Sequence, residues 1–223
     1  MKTVPMFPEL YDYVIKNSPL PHPILAKVEK ETGLRKDKGM QISRDQGAFM
    51  NMITKLMNVK TAIEVGCYTG FSAVAVGQGL PRDGKLYTLD INEETAKIAR
   101  GYFTEAGLAD KIELIVGDAK QTLDKLNTKL GKNSVDLAFI DADKTSYLTY
   151  YEKLLPMMRP NSLMVIDNVI WGGSVVDATN QTVDTVALRK FVETVSRDDR
   201  VQTTMLHISD GLLLIRKKDT QEV

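Results

Sequence analysis

TAIEVGCYTGFS, residues 61–72, is the stretch on which the fold turns. A short apolar run with β-branched residues meets a glycine, a small polar loop and a second glycine. This reads as a buried strand leading into a tight turn. Gly66 and Gly70 let the backbone approach a ligand closely, while Thr69 and Ser72 suit a turn and a helix start. The rhythm recurs in KLYTLD (85–90), KIELIVGD (111–118), SVDLAFID (134–141) and SLMVID (162–167), apolar runs whose C-terminal ends meet Gly or Asp. INEETAKIARGYFTEAG (91–107), SYLTYYEKLLPMM (146–158) and TVALRKFVETVSRD (185–198) read as helices between or after them.

Strands alternating with helices predict an α/β protein with a largely parallel sheet buried on both faces. Right-handed crossovers then carry the strand C-terminal ends to one edge, where open sheets bind ligands. The tail breaks the alternation. VQTTMLHI (201–208) and LLLIRKK (212–218) are separated by Ser209, Asp210 and Gly211, a hairpin signal that predicts an antiparallel last strand. WGGSVVDATNQ (171–181) reads as a polar loop, either on the site side of the sheet or an ordinary surface loop.

The first 60 residues read as helical, LYDYVI and ILAKVEKETG being separated by breaks at Pro19, Pro21 and Pro23. MQISRDQGAFMNMITKLMNV (40–59) predicts a helix starting near Ser43, with Phe49, Ile53, Leu56 and Met57 on one face and its methionines in the core. One domain over 1–223 is expected, a helical segment 1–60 followed by an α/β core 61–223.

The chain has 223 residues, is 43% hydrophobic, and carries 29 basic against 29 acidic side chains. That balance provides no broad electrostatic footprint for nucleic acid. Cys67 is the sole cysteine, so no intrachain disulfide forms and a reducing, cytoplasmic setting is expected. MKTVPMFPELYDYV lacks a signal-type apolar region, and no run approaches a membrane span. His22 and His207 read as packing or surface residues, and their distance from Cys67 offers no zinc spacing.

The strand ends carry the chemistry. Glu64, just before the first glycine, would repel a phosphate but suits a ligand with an amino group or a positive sulfonium. Asp90, 24 positions beyond Gly66, suits the two hydroxyls of a ribose. In VGDA, Asp118 suits an adenine amino group and the Ala119 N–H a ring nitrogen. Singly, these residues could serve packing and helix capping; at three successive strand ends they suggest an adenosine ligand. EVGCYTG lacks the GxGxxG spacing of a nicotinamide site. Asp141, Asp167 and Asn168 make an oxygen-rich half-shell for a hard divalent cation, the alternative being that Asp167 and Asn168 only turn the chain. Met40 and Trp171 could frame an aromatic acceptor or belong to the core.

MQISRDQG, IEVGCYTGFS, LDI, VGDA, FIDADKTSY and VIDNVIWGG together resemble the cation-dependent class I O-methyltransferases of the caffeoyl-CoA/catechol type. The resemblance covers nearly the whole chain, with DADK and the later DN pair its most specific parts. It implies a Rossmann-like sandwich, a seven-stranded mostly parallel sheet with an antiparallel last strand and helices on both faces. It further implies S-adenosylmethionine as donor, a divalent cation (magnesium first, then manganese or calcium) and a homodimer. Ile42, Glu64, Gly66, Cys67, Ser72, Asp90, Ala119 and Asp143 then match the donor site, beside the adenine candidate Asp118. Asp141, Asp167 and Asn168 match the metal ligands. Ile42 stands where Thr occurs in the family, so a hydroxyl contact is lost there.

Met6 and Gly172 stand where the plant enzymes acting on CoA esters carry Lys and Asn, which weakens transfer of that substrate to this chain. The expected reaction is in-line methyl transfer to a hydroxyl of a catechol-like molecule. Met40, Asp141, Lys144 and Trp171 would face that acceptor, and Lys144 would assist deprotonation or stabilise the phenolate. Two other readings stand beside it: methylation of a hydroxylated tRNA nucleoside, and a noncatalytic protein keeping an adenosine pocket.

Overall fold

The computed structural model describes residues 4–20, 22–219 and 221–222, so Pro21 lies outside the described residues. Among the described residues seven strands form one sheet: β1 (Thr61–Val65), β2 (Lys85–Asp90), β3 (Ile112–Val116), β4 (Val135–Ile140), β5 (Met158–Ile166), β6 (Val201–Leu206) and β7 (Leu212–Lys217). Their order is β3-β2-β1-β4-β5-β7-β6, and β7 runs antiparallel to both of its neighbours. The expected sandwich with an antiparallel last strand is the one observed. Among the described residues there are eight α-helices: α1 (Pro8–Lys16), which packs on α3, and α2 (Pro23–Thr32), α3 (Arg44–Leu56), α4 (Phe71–Gly79), α5 (Glu93–Glu105), α6 (Ala119–Leu130), α7 (Tyr147–Leu154) and α8 (Val183–Ser196).

The central strands are buried on both sides because alternate residues feed different cores. Ile63 and Val65 of β1 pack with Leu123, Tyr147, Tyr151, Leu188 and Phe191 from α6, α7 and α8. Ala62 faces the other way, into a core built with Leu25, Val28, Met50, Val74 and Phe103 from α2, α3, α4 and α5. Tyr147 and Tyr151 both set their rings edge-on to Phe191, at 5.7 and 6.3 Å between centroids. Among the described residues no helix is long and apolar enough to cross a membrane.

Two sequence expectations need correction. On α3 the buried residues are Gln46, Gly47, Met50, Asn51 and Thr54, whereas Leu56 is 76% exposed and Phe49, Ile53 and Met57 are only half-buried. Close approach to α4 selects small residues here: a Cβ on Gly47 would strike the Phe71 ring, and one on Gly79 would strike Thr54. Two polar groups of this face are satisfied, Asn51 Nδ2 donating to the Ala75 carbonyl at 2.8 Å and Thr54 Oγ1 to the Met50 carbonyl at 2.6 Å. Only part of the methionine stripe is core, since Met50 is buried while Met52 and Met40 are exposed. The second correction concerns Met157 and Met158. They do not extend α7, which ends at Leu154; Pro156 cannot continue the helix, and Met158 opens β5.

Candidate active site

The strand order reverses between β1 and β4, so the loops leaving their C-terminal ends diverge and open a crevice. Both loops leave the sheet in register, the Gly66 N–H donating to the Leu89 carbonyl and the Asp141 N–H to the Val65 carbonyl, each at 2.8 Å. A cavity of about 890 Å³ lies above them. At this point Gly66 has φ +99°, and a Cβ would collide with the Asp141 carbonyl oxygen. The glycine therefore serves both the turn and the close approach of two loops.

On one side of the cavity lie Gly66, Cys67, Ser72, Asp90, Asp118 and Ala119. Asp90 Oδ2 accepts the Cys67 and Tyr68 N–H groups at 3.0 and 2.7 Å, and Oδ1 accepts the Asn92 N–H at 2.8 Å. The carboxylate thus holds the glycine loop, with lone pairs left for a hydroxylated ligand. Cys67 is buried, burial pushes its thiol pKa up, and its backbone N–H is what meets Asp90. Asp118 is exposed and caps α6, accepting the Lys120 N–H at 2.8 Å; Ala119 opens that helix. Met40 and Ile42 reach the cavity from the segment before α3. Met40 is 62% exposed, which excludes the core alternative for it.

Glu64 is not on the cavity wall; it lies behind it, 1% exposed. Thr88 Oγ1 donates to its Oε2, and Oε1 has no hydrogen-bond partner among the described residues. Burial pushes its pKa up to about 7, the Asp141 and Asp90 charges add to the rise, and the Ser72 and Thr88 hydroxyls oppose it. The folded protein therefore binds this proton more tightly than the unfolded chain. Stability falls as pH climbs from the unfolded value of 4.5 to about 7, by roughly 3 kcal/mol, and is flat beyond. Glu64→Gln removes this slope. Melting temperatures of both proteins between pH 4.5 and 7.5 should show the variant's advantage widening with pH; parallel curves would reject a buried, titrating Glu64.

Asp141, Asp143, Lys144, Asp167, Asn168 and Trp171 form the other side. Asp143 accepts the Tyr150 hydroxyl at 2.6 Å and the Thr145 hydroxyl at 3.3 Å. Burial raises its pKa, but hydrogen bonds from Ser146, Tyr150 and Thr145 outweigh that and hold it below the usual range. Lys144, 8% exposed, donates from Nζ to Asn168 Oδ1 at 2.6 Å, Tyr147 Oη at 2.7 Å and Asp141 Oδ1 at 3.1 Å. Its ammonium also lies 5.6 Å from the centre of the Trp171 ring. Asp167 is 3% exposed and accepts the Asn168 N–H at 2.7 Å. Burial, then the Asp141 charge, push its pKa to about 7; burial raises Asp141 as well, against the pull of Lys144.

These groups suit a divalent cation. The buried Asp167 and half-buried Asp141 carboxylates oppose each other's ionisation, and the Lys144 ammonium already draws oxygens of Asp141 and Asn168 toward one positive charge. Among the described residues no three His, Cys, Asp or Glu side chains gather into a metal site, so a cation here would require the Asn168 amide oxygen beside Asp141 and Asp167. Asn168 has φ +58°, a conformation asparagine tolerates better than most residues.

Four neighbours escaped the sequence reading. Tyr147 and Tyr150 project from the start of α7, with only their spacing from Lys144 and Asp143 as a signal. Gln46 of α3 is fully buried and lowers the Asp167 pKa from beside it, an apolar-face argument being blind to it. Asp210 lines the cavity too, although its DG pair signals only a turn. His22 caps α2 through Nδ1, and His207 is exposed just beyond β6.

Residues 16–218 match the family model described as O-methyltransferase. Caffeoyl-CoA O-methyltransferase 2 of Zea mays is 34% identical, the alignment covering 94% of this chain and 83% of that protein. Among solved structures, the O-methyltransferase TomG from Streptomyces achromogenes, in complex with SAM, superposes with a TM-score of 0.80 at 27% identity, covering 89% of this chain and 91% of that one. The O-methyltransferase from Bacillus cereus, in complex with SAH, gives 0.84 at 27% identity, covering 94% and 97%.

Proposed function

The chain belongs to the S-adenosylmethionine-dependent O-methyltransferase family, and from that membership we propose a cation-assisted transfer to one hydroxyl of a catechol-like small molecule. The observation that carries the finer reading is the convergence of Asp141, Asp167, Asn168 and Lys144 beside the donor half of the same cavity. Family membership removes the noncatalytic reading.

The methyl donor would lie along the first side of the cavity. Asp90 accepts its ribose hydroxyls, Asp118 and the Ala119 N–H read its adenine, and Ile42 covers it, while Met40 faces the acceptor. Asp143, held ionised by Tyr150, faces its charged end. Asp141, Asp167 and Asn168 would hold the cation, whose chemistry is to lower the pKa of a bound hydroxyl and to fix two neighbouring oxygens. Trp171 walls the acceptor ring. Lys144 Nζ, steadied by Tyr147 Oη, meets the attacking oxygen, taking up its proton as the free amine or stabilising its negative charge as the ammonium. The oxygen–methyl bond forms as the sulfur–methyl bond breaks, and the thioether leaves with the electron pair. Ordering both partners in line replaces an entropically costly encounter.

The test uses metal-stripped protein, labelled donor and, in parallel, catechols and hydroxylated tRNA. Label should enter catechols only when magnesium or manganese is restored, and chelator should abolish it. Undiminished transfer without metal rejects the cation reading; label in tRNA but not in catechols rejects the acceptor.

A further inference from the structure

Asn168 is a ligand candidate with an ambiguity that a carboxylate lacks: an amide can present either oxygen or NH2 to the site. Its neighbours resolve that ambiguity. Asn168 Oδ1 accepts Lys144 Nζ at 2.6 Å, and Asn168 Nδ2 donates to Asp210 Oδ2 at 3.2 Å. A flipped amide would set NH2 against the Lys144 ammonium and C=O against the Asp210 carboxylate, leaving two repulsive contacts in a half-buried place. Asp210 is itself held firmly. Its Oδ1 accepts the Gly172 N–H at 2.6 Å, and its carbonyl accepts the Ile170 N–H at 2.9 Å. The Gly211 carbonyl accepts the Val169 N–H at 3.2 Å, and a Cβ on Gly211 would strike the Ile170 side chain. The β6–β7 turn is thereby locked against residues 168–172.

We propose that Asp210 is a positioning residue of the cation site: it fixes the Asn168 amide with its oxygen toward the cavity, and through Gly172 ties the Trp171 loop to the same turn. The assignment rests on the cation reading above. Asp210 touches the ligand's amide at its NH2 end, acting through Asn168, as carboxylates commonly orient metal ligands. Asp210→Asn conserves shape but places an amide NH2 opposite the Asn168 NH2 once its own oxygen is kept by the Gly172 N–H. The Asn168 amide then turns its oxygen toward position 210 and away from Lys144.

The experiment is a manganese titration followed by electron paramagnetic resonance on the full chain, with S-adenosylhomocysteine affinity and melting temperature measured on the same samples. Asp210→Asn should weaken manganese binding about 10- to 100-fold while donor-product affinity stays within about twofold. The same change made on top of Asn168→Asp should weaken it by no more than about threefold, because a carboxylate has equivalent oxygens and accepts a hydrogen bond from the new amide at position 210. An Asp210→Asn protein that binds manganese like wild type overturns the assignment. Equal losses in both backgrounds also overturn it, because they would show that Asp210 contributes only its charge. Wild-type protein that binds no manganese and transfers methyl groups after chelation fails the cation reading itself, a result distinguishable from either.

Discussion

Asp167→Ala is expected to lower methyl transfer by at least about a thousandfold, the scale of several kcal/mol of cation assistance, with S-adenosylhomocysteine affinity within about twofold of wild type. The separation follows from the sheet. Asp167 leaves β5, whereas most of the donor half is carried by the ends of β1, β2 and β3 on the other side of the switch point, with Asp143 reaching it from the loop after β4. Stability supplies a second readout with an unusual sign. Burial and Asp141 hold the Asp167 pKa near 7, so the metal-free fold carries an unfavourable charge above that pH and gains nothing from it. At pH 8 the alanine protein should melt no lower than metal-free wild type, and its melting temperature should no longer rise with magnesium. Scanning calorimetry with and without the ion checks both. Transfer within tenfold of wild type, or a surviving magnesium shift, would place the cation elsewhere or remove it from the reaction.

How far the site was legible follows from how its residues are held. Gly66, Asp90, Asp118, Asp141 and Asp167 each end an apolar run, and parallel topology alone brings such ends to one edge. Their gathering needed no side-chain detail. The face of α3 was not legible, because apolar periodicity assumes burial by large side chains and this helix docks through Gly47, Asn51 and Thr54. Met158 misled for a related reason: an apolar pair after a helical pattern extends it on paper, while Pro156 ends it in three dimensions. Asp210 was hidden by its own turn signal, which explains the residue without reference to a neighbour 42 positions earlier in the chain. Residues that hold backbone ends can be read from sequence; residues that orient another side chain across the fold cannot.

Lys144→Met is expected to slow single-turnover transfer about 100- to 10,000-fold, the range for losing a positioned proton-transfer or charge-stabilising group. The side chain keeps its length and apolar contacts, so the loss isolates the ammonium. What distinguishes this variant from Asp167→Ala is the metal. In the described structure the Lys144 Nζ occupies hydrogen-bonding positions on Asp141 Oδ1 and Asn168 Oδ1, two of the oxygens assigned to the cation. Removing it ends that competition, and manganese affinity should rise while turnover falls. A lysine that merely braced the site would give the opposite pairing, with affinity and rate dropping together. Three measurements on one preparation decide the matter: manganese binding, donor-product binding and the single-turnover rate at saturating metal. An unchanged rate would take Lys144 out of the chemistry; a fall in manganese affinity matching the fall in rate would reduce it to a strut beneath Asp141 and Asn168.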